Sequence, residues 1–187
     1  MRRAVINRKT KETRIDVNLG LDGRGHYDIE TGIRFLDHML AQLARHGLFD
    51  IQVKATGDLH IDSHHTAEDV GIVIGRAFND ALGDRQGIRR MGDATVPMDE
   101  ALVEAALDIG GRPYYVGQLP SKLYAHFLHS FATNLEATLH VRVLRGQDRH
   151  HIVEAAIKAT GLALREAIKE GDAVFSTKGS VQLERLD

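Results

Sequence analysis

The strongest constraint on the fold of this chain is that it is written twice. Sliding the sequence against itself by 88 residues places Glu12 on Glu100, Leu19 on Leu107, Gly23 on Gly111, Arg24 on Arg112 and Tyr27 on Tyr115. His38 in FLDHML then falls on His126 in YAHFLH. A two-residue deletion changes the offset to 86, after which His64, His65 and Glu68 fall on His150, His151 and Glu154. These last residues belong to two octets, DSHHTAED and DRHHIVEA, each with Asp, two adjacent His, and Glu three residues after the second His. A shuffled chain of this composition contains HHxxE only about 0.03 times, so chance explains two copies poorly. We read two internal repeats, approximately 1–91 and 92–187, with no Pro/Ser-rich linker between them. The expectation is a single catalytic domain over residues 1–187 in which two halves share a core.

Hydrophobic periodicity repeats as well. RIDVNLGL carries Ile15, Val17, Leu19 and Leu21 on alternate positions, and LVEAALDI carries Val103, Ala105, Leu107 and Ile109 likewise, which marks half-buried strands. HYDIE and PYYVG follow the turns DGRG and GGRP as second strands, and DIQVKAT and TLHVRVL alternate again. Leu36, Met39, Leu40 and Leu43 in one half, and Leu123, Phe127 and Phe131 in the other, have helical spacing. Each HHxxE opens a longer helix, the first with an apolar stripe of Val70, Val73, Ile74, Ala77, Phe78 and Ala81. Each half reads β-β-β-α-β-α. Sheets with one apolar face need a layer of helices, which gives an α/β chain in an α+β layered sandwich of two duplicated half-domains.

Composition removes several functional classes. A net charge of −2 and a pI near 6.6 offer no broad field for nucleic acid or an anionic membrane. The chain has no Cys, so disulfides, thiolate zinc sites and cysteine nucleophiles are excluded. No stretch approaches 18 consecutive apolar residues, and no apolar run follows the basic residues of MRRAVINRKTKET. Neither a membrane span nor a signal peptide is expected, and the default compartment is the cytoplasm.

On a helix, residues i and i+4 share a face while i+1 is rotated by about 100°. His64 and Glu68 can therefore grip one ion, with His65 turned elsewhere, and the same holds for His150, Glu154 and His151. Neighbouring His in each pair are expected to serve two different metals. Imidazole plus carboxylate without thiolate suits Mn²⁺, Fe²⁺, Co²⁺, Ni²⁺ or Zn²⁺ and fits Ca²⁺ or Mg²⁺ poorly. His38 and His126 complete six His and two Glu, enough for two ions of three His and one carboxylate each. The blander reading is a set of surface and capping His, which the duplication disfavours. That reading holds for His26, His46, His60, His129 and His140, although His129 lies one turn from His126. Asp62 or Ser63 is placed to cap the first HHxxE helix, with Asp62 orienting a metal-binding His as the equal alternative.

FLDHML, DSHHTAED, HHIVEAAIKA and STKG, in this order along almost the whole chain, resemble the imidazoleglycerol-phosphate dehydratase family. Two departures, Phe175 where the family commonly has Pro and Ile157 where it has an aromatic, look like packing changes. The resemblance implies a ribosomal-S5-domain-2-like fold. It implies a stand-alone lyase that dehydrates imidazole glycerol phosphate to imidazole acetol phosphate in histidine biosynthesis. It also implies two Mn²⁺ per active site, and a homo-oligomeric shell of 24 subunits with sites between chains. Two metals, one on each ring nitrogen, would clamp an imidazolate from both sides. Arg90, Arg112, Ser176 and Lys178 match the family's phosphate-binding positions, and Glu12 and Lys158 match positions near the glycerol hydroxyls. Glu12 is then the candidate acid/base carboxylate, with His65, Glu68, His151, Glu154 and Lys158 in the catalytic set. The family reading groups {His64, Glu68, His126, His151} on one ion and {His38, His65, His150, Glu154} on the other, with the two halves at each ion drawn from neighbouring chains. A metal-dependent hydrolase of a phosphorylated small molecule and a non-catalytic metal-binding protein are the alternatives.

Overall fold

Alternating apolar residues in the first half build β1 (Arg3–Lys9), β2 (Thr13–Gly20), β3 (Tyr27–Glu30) and β4 (Asp50–Gly57). The helices α1 (Arg34–Gly47) and α2 (His64–Leu82) carry their apolar stripes on one side. The second half repeats the order with β5 (Met91–Met98), β6 (Ala101–Asp108), β7 (Tyr114–Gly117), α3 (Lys122–Leu135), β8 (Thr138–Arg145) and α4 (Arg149–Ala167). This is a computed structural model, and it describes residues 2–171.

Each half forms a four-stranded sheet, in the orders β1-β2-β4-β3 and β5-β6-β8-β7. The first three strands of each order run antiparallel, and β3 and β7 pair parallel to β4 and β8. The parallel pairs need a crossover, which α1 and α3 supply. Even the helix ends repeat. Leu48 and Glu136, 88 positions apart, close α1 and α3 in the left-handed region at φ 57° and 55°.

The sheets turn their apolar faces inward, with Ile15, Val17 and Leu19 buried on one and Val103, Ala105 and Leu107 on the other. Helix α2 lies on β1, β2 and β4, and α4 lies on β5, β6 and β8. The halves are joined through their helices, α2 packing on α3 and α1 on α4, so one hydrophobic cluster runs through the whole sandwich. Close approach at these crossings depends on two repeat-equivalent glycines. A Cβ on Gly75 would lie 2.4 Å from the Phe131 carbonyl oxygen, and one on Gly161 would lie 3.2 Å from the Leu43 carbonyl oxygen. Phe131 and Leu43 are themselves 88 residues apart. The two helix crossings are thus one contact, used twice.

The two-residue change of offset lies between the fourth strand and the last helix. Residues 58–63 separate β4 from His64, whereas residues 146–149 separate β8 from His150.

Candidate metal centre

The helix crossings decide which side chains meet. His64 and Glu68 stand on the first turns of α2, and the α2–α3 crossing brings His126 of α3 against them. His64 Nε2 lies 2.6 Å from His126 Nδ1, and His126 Nε2 lies 3.4 Å from Glu68 Oε1. The α1–α4 crossing does the same with His38 of α1 and His150 and Glu154 of α4. His38 Nε2 and His150 Nε2 each lie 3.1 Å from Glu154 Oε2. In each trio, donor atoms of two imidazoles and one carboxylate lie within 4.8 Å of one another. Phe35 packs on the second trio, its ring centroid 4.8 Å from that of His150.

Each trio takes residues from both halves of a single chain. The expectation that the two halves at one ion come from neighbouring chains does not hold for these six residues. Its physical reason is the cross-packing of helices, which a linear repeat does not reveal.

The trios differ in one respect. Glu154 is buried, and its Oε1 accepts a 2.7 Å bond from the Lys158 ammonium one turn along α4. Burial works to raise the Glu154 carboxyl; the bonds from Lys158 and His38 outweigh it and hold the group below the ordinary carboxylate value. The position equivalent to Lys158 in α2 is Ile72, so α2 offers the first trio no cation at that place.

The second His of each motif faces away from its trio. His65 Nδ1 lies 2.9 Å from Asp58 Oδ2 and 3.9 Å from Glu12 Oε2. His151 Nδ1 lies 2.7 Å from Glu100 Oε2. The carboxylates raise both imidazoles above the ordinary histidine value, mainly through these hydrogen bonds. In return Glu100 is lowered to about 2, chiefly by His151 and then by two backbone N–H groups. Asp58 is likewise lowered, first by His65.

Both HHxxE helix starts are capped by Asp. Asp148 accepts the backbone N–H groups of His150 and His151, and its repeat partner Asp62 accepts that of His64 at 2.8 Å. Ser63 stands at the N-cap of α2 without a side-chain capping bond.

Arg90 and Arg112 converge on Asp108. The Arg90 guanidinium binds both Asp108 oxygens, at 2.7 and 2.9 Å, while Arg112 is largely exposed 4.0 Å from Oδ2. Arg90 stands well away from the Glu154 trio. Arg90 N–H donates to the Ala167 carbonyl at the end of α4, thirteen residues beyond Glu154, roughly 20 Å along a helix. His151, in turn, sits beyond the opposite end of β5 from Arg90, roughly 25 Å along the strand. Ser176, Lys178 and Phe175 lie outside the described residues.

The sequence pattern singles out neither Asp58 nor an orienting role for Glu100. Glu100 had a signal, its alignment with Glu12. Asp58 had none, because its counterpart at the 88-residue offset is Gly146.

A family model described as imidazoleglycerol-phosphate dehydratase matches residues 31–164, a span containing both trios, His65, His151 and Lys158. Similar proteins named imidazoleglycerol-phosphate dehydratase include one from Cereibacter sphaeroides, 51% identical, with 96% of this chain and 99% of that one covered. Another, from Clostridium botulinum, is 50% identical, with 95% and 97% covered. The crystal structure of IGPD from Pyrococcus furiosus in complex with (S)-C348 superposes with a TM-score of 0.82 at 40% identity, covering 94% of this chain and 100% of that one. Imidazoleglycerol-phosphate dehydratase from Staphylococcus aureus gives a TM-score of 0.79 at 30% identity, with 90% and 100% covered. Sequence identity sustained along almost the whole length, on the same duplicated sandwich, leads to one conclusion: the chain belongs to the imidazoleglycerol-phosphate dehydratase family.

Proposed function

We propose that this chain removes water from imidazole glycerol phosphate to give imidazole acetol phosphate, a step of histidine biosynthesis, and that it does so with two Mn²⁺ per active site. The observation that carries the reading is the pair of His₂Glu trios, each built from both repeats. Two near-equivalent donor sets suit a substrate whose ring offers two near-equivalent nitrogens. The donor chemistry fits the metal: imidazole nitrogen and carboxylate oxygen, without sulfur, are borderline ligands that Mn²⁺ accepts.

His64, Glu68 and His126 would hold one ion, and His38, His150 and Glu154 the other, with His151 and His65 as the fourth ligands. When bound, the ions supply Lewis acidity to the two ring nitrogens and so favour departure of the hydroxyl on the ring-bearing carbon. The chain's own groups handle the protons. The Lys158 ammonium, bonded to Glu154, would protonate the leaving hydroxyl. Glu12, exposed beside His65, takes the proton from the neighbouring carbon, and the resulting enol becomes the ketone. Arg90, Arg112, Ser176 and Lys178 hold the phosphate.

One substrate molecule, a three-carbon chain between ring and phosphate, cannot span the roughly 20 Å along α4 from the Glu154 trio to Arg90 within one chain. This separation supports a site shared between chains, in which one subunit's arginines serve another's histidines. A closed homo-oligomer of 24 subunits in the cytoplasm is the assembly we propose.

The test is direct. Purified protein with Mn²⁺ and imidazole glycerol phosphate should yield the ketone with one water lost per turnover. Release of inorganic phosphate instead would favour a hydrolase, and Mn²⁺ binding without turnover would leave a metal-binding protein.

A further inference from the structure

In both halves the second His of HHxxE has its Nδ1 against a carboxylate and its side chain partly exposed. A carboxylate accepts only, so the Nδ1–H donates to it and the lone pair is left on Nε2. We infer that Asp58 and Glu100 are positioning residues that lock His65 and His151 in this tautomer and aim each Nε2 at a metal held by another copy of the chain. The inference rests on the shared-site reading above and concerns residues to which that reading gives no role.

The two halves reach this end by different means. The repeat partner of Glu100 is Glu12, yet Glu12 stands 3.9 Å from His65 Nδ1, beyond hydrogen-bond distance. Asp58, at the start of the longer loop 58–63, holds His65 instead. At the corresponding place the second half has Gly146, which has no side chain to offer. The longer loop thus relieves Glu12 of orienting His65 and leaves its carboxylate to the substrate, whereas Glu100 remains tied to His151. That tie is firm. Glu100 Oε1 also accepts the N–H groups of Gln147 and Asp148, at 3.1 and 2.8 Å, which fixes the β5–β6 hairpin to the start of α4. Asp58 has no second tie: its Oδ1 is buried without a partner among the described residues. At His151, Asp99 Oδ2 is 3.6 Å from Nε2, exposed, and too distant for a hydrogen bond.

This asymmetry yields unequal effects from similar substitutions. In Glu100→Gln the carbonyl oxygen stays pinned by the two backbone N–H groups, so the amide NH₂ faces His151 Nδ1 and forces the proton onto Nε2. In Asp58→Asn the unpinned amide can turn its oxygen to His65 and keep the tautomer. Mn²⁺ binding to each variant should be measured by the electron paramagnetic resonance of free Mn²⁺, with melting curves as the control for folding. Glu100→Gln should weaken one class of Mn²⁺ site tenfold to a hundredfold, the usual effect of losing a ligand's orienting partner. Asp58→Ala should weaken the other class similarly, Asp58→Asn should change it little, and Glu12→Gln should lower kcat with both classes intact. Should Glu100→Gln fail to fold, the two Asp58 variants decide. Independently, ¹⁵N spectra of the metal-free protein labelled at histidine should show His65 and His151 protonated on Nδ1 when neutral. Mn²⁺ affinities within threefold of the parent in folded Glu100→Gln and Asp58→Ala, or an Nε2–H tautomer at either histidine, overturn the inference. Failure of the parent protein to bind Mn²⁺ would instead remove the shared-site reading, and the ¹⁵N result would still report the orientation.

Discussion

Arg112 is a surface cation beside Asp108. It is largely exposed and loosely placed there. On the proposed reading its guanidinium takes a phosphate as a further partner when substrate arrives. Arg112→Ala should therefore leave bound Mn²⁺ unchanged and weaken substrate binding roughly ten- to hundredfold, about 1.5–3 kcal/mol for a charge-assisted contact. Comparing substrate with an unphosphorylated analogue checks this; equal losses for both would refute a phosphate role. His65 and His151 set the response to pH. Their pKa values are raised by Asp58 and Glu100, so these pairs stabilise the metal-free fold below the ordinary histidine value, about 6.5. That contribution is lost as pH rises through the raised values. Mn²⁺ needs the neutral imidazole, so its affinity climbs over the same interval. Melting curves between about pH 5 and 8 should show the stabilisation by Mn²⁺ growing with pH. A constant gain across that range would count against these two ligands.

At the scale of elements, the helix crossings carry the site. The trios exist only because α2 lies on α3 and α1 lies on α4 closely enough for histidines of one half to meet carboxylates of the other. Gly75→Ala places a methyl 2.4 Å from the Phe131 carbonyl oxygen, which is backbone and cannot swing aside. The helix gains up to about 1 kcal/mol of propensity, but overpacking costs about 1–3 kcal/mol, so the net effect should be destabilising. Forcing α2 from α3 should also weaken the site containing His64 and His126 and spare the one containing His38. Gly161→Ala meets its nearest atom at 3.2 Å and should be milder. Chemical denaturation and Mn²⁺ titration of both variants provide the comparison.

For the whole molecule, the separation between Arg90 and the Glu154 trio ties function to assembly. If the fourth ligand of each ion comes from a neighbouring chain, part of the metal's binding free energy is assembly free energy. Chelation near neutral pH should yield a smaller, inactive oligomer, and Mn²⁺ should restore both size and activity. Sedimentation of the two forms tests this. An isolated monomer that bound both ions tightly and turned over would end the shared-site proposal.

Much of this was legible in the residues because the physics involved is local and periodic. Alternating Ile15, Val17 and Leu19 specify a half-buried strand wherever they occur, and i, i+4 spacing puts His64 and Glu68 on one face of any helix. Duplication of the HHxxE motif exposed the donor sets, and the 86- and 88-residue offsets located the loop that differs between the halves. What lay beyond the sequence depends on contacts between distant segments. That α2 crosses α3 rather than α1, so that each trio mixes both halves in one chain, follows from how two helical layers pack, which no single segment encodes. That Asp58 and not Glu12 holds His65 follows from the path of a loop two residues longer than its counterpart in the other repeat. Spacing along the chain sets which face a side chain occupies; only the packing of the sandwich sets what that face meets.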